Sequence, residues 1–156
     1  MSDFEVQGAE QLEALAKRLK AAGAGDLRKE LLRGIRETNK PTIEDIRKSA
    51  LDTLPRRGGL ADRIARSKIS TRTRTAGRQA GVEIKGVGIA GASGKKHDIA
   101  RLNKGLLRHP LFGNRDRWYG QGVRAGWFNN PIEKRKPEIQ RGLQRVMEDV
   151  ARKVAR

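Results

Sequence analysis

Arg108-His-Pro-Leu-Phe-Gly-Asn-Arg-Asp-Arg-Trp-Tyr-Gly-Gln-Gly-Val-Arg-Ala-Gly-Trp-Phe128 holds five of the chain's six aromatic residues. Phe112, Trp118, Tyr119, Trp127 and Phe128 bring most of the bulky apolar surface that can fix a tertiary structure. Glycine and arginine run through the same stretch, which does not suit a plain core strand, so the window reads as an irregular segment within 91–128. Trp118/Tyr119 and Trp127/Phe128 are adjacent pairs. In an extended chain one member of each pair faces the core and the other the opposite side. That suits a packed knot or an interface better than a row of base-stacking platforms. Arg108, His109, Pro110, Phe112, Trp118, Tyr119, Trp127 and Phe128 are therefore the candidate packing and interface residues.

Working outward, helical periodicity brackets the window. Leu12, Leu15, Ala16 and Leu19 share a face, and Gly23 and Gly25 end that helix. Asp26 is placed to cap a second helix, with an apolar stripe through Leu27, Leu31, Ile35, Thr38, Ile43 and Ile46 and an expected kink or split at Pro41. These two make a helical hairpin over 1–54. Leu60–Arg66 reads as a short helix, and Ser67–Thr75 alternates β-branched residues with Ser and Arg. A second strand is expected around Val82–Lys85, with Val87–Ile89 continuing it or forming a third. Gly91–Lys96 is small and polar and reads as mobile, and Asp98–Asn103 can make a helical turn. Asn130, Pro131 and Glu133 announce a last helix, its regular part delayed by Pro137. Its stripe is Ile139, Leu143, Val146, Met147, Val150 and Val154. The pattern predicts an α+β fold, a small antiparallel sheet packed by the helical hairpin and the long C-terminal helix.

At 156 residues a single domain, 1–156, is expected, its segments falling at 1–54, 60–90, 91–128 and 129–156. An apolar share of 36% against 34% charged allows only a thin core, so neighbours in an assembly are expected to add stability. The net charge of +17 calls for polyanions, acidic partners or local pairing. With no cysteine there are no disulfides or thiolate metal sites. The N-terminus lacks a secretory pattern and no run is long enough to span a membrane, so the expected place of synthesis is a cytoplasm.

Catalytic signatures are missing. His97 and His109 have no converging ligands, and no phosphate loop or nucleophile elbow occurs. We expect no enzyme, no cofactor and no metal. Arg56, Arg57, Arg72, Arg74 and Arg78 have few acids near in sequence. They are the candidate contacts for phosphates or an acidic partner, in a sequence-independent mode.

The order of helical hairpin, Leu54-Pro-Arg-Arg-Gly-Gly-Leu-Ala-Asp-Arg-Ile-Ala65, Thr-rich strands, Leu106-Leu-Arg-His-Pro-Leu-Phe-Gly113 with Trp118, and closing helix resembles a known family. It is similar to the tail-completion (neck, or minor tail) proteins of long-tailed bacteriophages, the family of gene product ten of phage Hong Kong 97. Pro55, Gly59 and Leu60 match the family's step before its first strand. The resemblance implies a structural virion protein at the head–tail joint, assembled in the bacterial cytoplasm. It further implies a hexameric ring of this chain and, as partners, connector or stopper, tail terminator or tail tube proteins, with DNA passing through and no membrane. The alternatives are a tail terminator and a basic nucleic-acid-binding protein.

Overall fold

The computed structural model describes residues 8–88 and 99–156. Among these the chain forms α1 (Ala9–Ala21), α2 (Gly25–Thr53), a 3-10 turn (Arg57–Gly59), α3 (Leu60–Ala65) and β1 (Ile69–Arg74). Then follow β2 (Gly81–Gly86), α4 (Ile99–Asn103), β3 (Leu106–Leu111), β4 (Asn114–Gly122) and α5 (Asn129–Val154). The strands make two antiparallel two-stranded sheets, β1–β2 and β3–β4, so the fold class is α+β. Gly91–Lys96, His97, Ile89 and the N-terminal heptapeptide lie outside the described residues.

The helices follow the apolar periodicity. Leu12, Leu15 and Leu19 are the buried positions of α1. That helix ends in a Schellman turn: the Ala24 amide donates to Leu19 O at 3.0 Å and Gly23 N to Lys20 O at 3.1 Å, with Gly23 at φ 63°. α2 starts at Gly25, with Asp26 in its first turn rather than at its cap.

Neither proline breaks its helix. α2 runs through Pro41, so the helix is not split there, and α5 runs through Pro137 without the delay expected from sequence. An interior proline costs about 3 kcal/mol, whereas each fully buried Leu or Ile returns about 1.5–3. α2 buries Leu31 and Ile35 before Pro41 and Ile46 after it; α5 buries Ile132 before Pro137 and Ile139, Leu143 and Val150 after it. The buried side of α2 departs from the expected stripe at its middle, where Asn39 and Thr42 are buried instead of Thr38 and Ile43. Asn39 meets the cost of burial by donating from Nδ2 to Ile35 O at 2.9 Å.

Contacts divide the chain into two compact units. One comprises Ser2–Ile43, Ser70–Lys85 and Arg135–Arg156. Its core gathers Leu12, Leu15 and Leu19 of α1, Leu31 and Ile35 of α2, Val82 of β2, and Ile139, Leu143, Met147 and Val150 of α5. α2 and α5 approach closely there. A Cβ on Gly34 would lie 2.6 Å from Val146 Cγ1, and one on Gly142 would lie 2.5 Å from Thr38 Cγ2. Each helix thus offers a glycine to the other's branched side chain, one turn apart. β1 and β2 are the strands expected from sequence. Arg74 reaches Glu83 at 3.7 Å and hydrogen-bonds Gln79, which engages one of the arginines that have few acids near in sequence.

The other unit comprises Glu44–Ile69 and Gly86–Lys134. Its buried residues include Ile46 and Ala50 of α2, Leu54 just beyond it, Leu60, Ala61 and Ile64 of α3, Leu102 of α4, and Trp127, Phe128 and Ile132. Arg47 Nη1 donates to Ala65 O at 2.6 Å, placing a cation on the carbonyl end of α3.

The glycine contacts give a signed expectation. Gly142→Ala gains about 1 kcal/mol of helix propensity but forces overpacking worth about 1–3 kcal/mol. Net destabilisation is expected, read as a lower urea midpoint. Adding Thr38→Ala, which removes the clashing methyl, should recover part of the loss in a double-mutant cycle.

Candidate functional site

The window that sequence reads as irregular is a β-hairpin. β3 and β4 pair antiparallel, with Leu106 opposite Gly122, Arg108 opposite Gly120, His109 opposite Tyr119 and Pro110 opposite Trp118. At the turn Leu111 faces Asn114, and both central residues have positive φ, 46° at Phe112 and 79° at Gly113. This is the pattern of a type I′ hairpin turn, which favours Asn-Gly and matches strand twist. Here a phenylalanine takes the first position, a backbone strain of about 1–3 kcal/mol.

Between Pro110 and Leu111 the register shifts, so Arg115, Asp116 and Arg117 bulge out near the tip. The bulge closes on itself. Asp116 N donates to Asn114 Oδ1 at 2.9 Å, and Trp118 Nε1 donates to Arg115 O at 2.9 Å. Rings brace the ribbon across its strands: His109 and Tyr119 meet edge to face at 5.7 Å, and the Arg108 guanidinium lies 6.0 Å from the Trp118 centroid.

The base of this arm is clamped by Asn103 at the end of α4. Its Oδ1 accepts from Phe128 N at 3.0 Å and Asn129 N at 3.2 Å, and its backbone O accepts from Gly126 N at 2.8 Å. The start of α5 is therefore capped from another element, not by Asn130. Val123 N donates to Gly105 O at 2.9 Å, closing the ribbon's open end.

The expected partition of the aromatic pairs is wrong. Trp127 and Phe128 are both buried, their rings edge to face at 5.5 Å, because they occupy a turn entering α5 rather than an extended strand. Trp118 and Tyr119 do point to opposite faces of β4, yet both are exposed, 41% and 55%, because neither face is covered. Phe112 is 99% exposed, and every residue of β4 is exposed. Pro110 and His109 are half-buried in β3, and Arg108 is exposed. Exposed Leu106 and Trp118 share one face of the ribbon, Tyr119 lies on the other and Phe112 at the turn, apolar exposure of the kind that marks interaction sites.

Beside the arm's root lies an open cleft of about 920 Å³ that includes bulk solvent. Asp45, Lys48 and Asp52 of α2 line it opposite Arg124, with Trp127 and Pro131. Arg56 and Arg57 lie in this same unit, whereas Arg72, Arg74 and Arg78 lie in the other. Among the described residues no three His, Cys, Asp or Glu side chains are grouped to hold a metal ion, and no helix is long and apolar enough to cross a membrane.

Asn103→Ala removes one acceptor from two amides, and each buried amide left unsatisfied costs about 1–3 kcal/mol. Denaturation should report a loss in that range, and hydrogen exchange should quicken at Phe128 and Asn129 while Asn103→Asp, which keeps an acceptor, stays slow.

No protein-family model, curated protein or solved structure matches this chain.

Proposed function

We propose that this chain is a structural subunit of a virion, a neck or tail-completion protein that joins the head of a long-tailed phage to its tail and through which DNA passes. The β3–β4 arm is its docking element, and the reading includes no catalytic step. Exposure of Phe112, Trp118 and Tyr119 on a ribbon with neither face covered is the observation that carries a docking role. The phage context comes from the family resemblance of the proline–glycine–leucine step and the His-Pro-Leu-Phe-Gly motif.

Composition favours a protein partner for the arm over nucleic acid. Leu106–Gly122 carries Arg108, Arg115 and Arg117 against Asp116, a net +2 over 17 residues, the same charge density as +17 over the 156-residue chain. The arm is thus no more basic than its surroundings. It is, however, enriched in exposed rings and leucine, its cations are all arginine, and it contains neither lysine nor glutamate. Aromatics and arginine with few lysines or acids are the signature of interface cores.

The two tryptophans should behave differently. Trp118→Ala is expected to fold normally yet yield separate heads and tails in a complementation assay of a phage carrying this gene. Trp127→Ala, which empties a site that is 1% exposed, should instead lower stability by about 3–5 kcal/mol. Normal joining by folded Trp118→Ala protein would count against the role given to the arm.

A further inference from the structure

We infer that the arm docks by strand addition: the outer edge of β4, over Trp118–Gly122, takes up an extended acidic segment of a partner protein as a third strand. This rests on the docking role given to the arm above and names how the partner is held.

The two edges of the ribbon are not equivalent. Val123 N bonds Gly105 O, so the pairs in step with it, Leu107 with Gln121 and His109 with Tyr119, are those that exchange bonds across the ribbon. Leu106, Arg108 and Pro110 of β3 therefore turn their backbone groups outward, as do Trp118, Gly120 and Gly122 of β4. On β3 that edge is interrupted by Pro110, which has no N–H to offer, and it carries the charge of Arg108. Proline and charge are the means by which proteins blunt a free edge. On β4 the outward positions hold neither. Among the described residues the ribbon has two strands only, and all of β4 is exposed.

Nothing inside the chain requires glycine at 120 and 122. Neither residue has a positive φ. A Cβ on Gly122 would meet nothing within 4 Å, and one on Gly120 would make an ordinary contact, 3.5 Å from Leu106 Cδ1. Glycine weakens a strand, and its presence in one marks a place where another backbone approaches closely. The two glycines alternate, so they open a trough on the face that carries Trp118 and Leu106. Two bulky apolar side chains at alternate positions of an added strand fill it, flanked by the Trp118 ring.

Charge specifies the rest of the occupant. Arg115 and Arg117 continue β4 towards the tip, and among the described residues neither has an ion pair. Carboxylates on the added segment are attracted there, whereas a second copy would bring the same arginines and its own net charge of +17. A nucleic acid lacks the alternating amides and carbonyls that match an open strand edge.

The test uses the full-length chain and a synthetic peptide of about six residues that alternates glutamate with valine. Binding should be saturable. The peptide should slow amide exchange at Trp118, Gly120 and Gly122 and leave Tyr119 and Gln121, already bonded to β3, unchanged. Gly120→Pro removes an outward amide and no rung of the ladder. That variant should keep its protection at Tyr119 and Gln121 while peptide affinity falls about tenfold, the equivalent of one or two hydrogen bonds. Gly120→Thr with Gly122→Thr fills the trough, so it should tighten the free arm, slowing exchange at Tyr119 and Gln121, and weaken peptide binding. Absence of saturable binding, protection that does not alternate, wild-type affinity in Gly120→Pro, or an arm loosened by the threonines would each overturn the inference. So would protection of the same three amides by a random-sequence DNA duplex, or by raising the concentration of the chain alone. No virion is involved, so failure here leaves the joining assay of Trp118→Ala to decide the docking role separately.

Discussion

The interlock of Gly34 with Val146 and of Thr38 with Gly142 sets the geometry of the hydrophobic core shared by α1, α2, β2 and α5. Each helix gives up a side chain where the other supplies a branched one, and the two contacts are four residues apart on both. That spacing fixes antiparallel register, because a slip by one residue would turn a larger side chain into each gap. With register fixed, Leu31 and Ile35 of α2 share one cluster with Leu143, Met147 and Val150 of α5, and α1 adds its leucines to the same cluster. A chain with so small an apolar share has little spare burial, so close backbone approach is how it reaches adequate packing.

The second unit solves a different problem, which is how to hold an uncovered ribbon. A two-stranded hairpin by itself is marginal in water. Here its ends are fixed by backbone bonds: Asn103 holds Gly126, Phe128 and Asn129, and Gly105 holds Val123. Trp127 and Phe128 are buried directly beyond the second strand and anchor its exit. The rings of one short window therefore divide by task. Two lock the root and three are left to solvent at and toward the tip.

Much of the fold was legible from periodicity. Leu12, Leu15 and Leu19, the α5 stripe from Ile139 to Val150, and the alternation in Ile69–Arg74 each carry their own local signal, and each element appears where that signal lies. The prolines misled because a local cost was weighed without the burial on either side of it. The β3–β4 hairpin went unseen for a related reason: Phe112 occupies a turn position where Asn or Gly is the usual marker, and Pro110 argues against a strand. The clamp at Asn103 joins residues 25 and 26 positions apart, and no spacing rule reaches that far.

What the sequence determined by itself is the class of the helices and of β1 and β2, the high positive charge, and the crowding of aromatic surface into one window, since all three depend only on neighbours along the chain. Tertiary structure alone decided which rings are spent on the core and which are offered outward. Exposure is a property of what packs against a residue, and for Phe112, Trp118 and Tyr119 nothing among the described residues covers them.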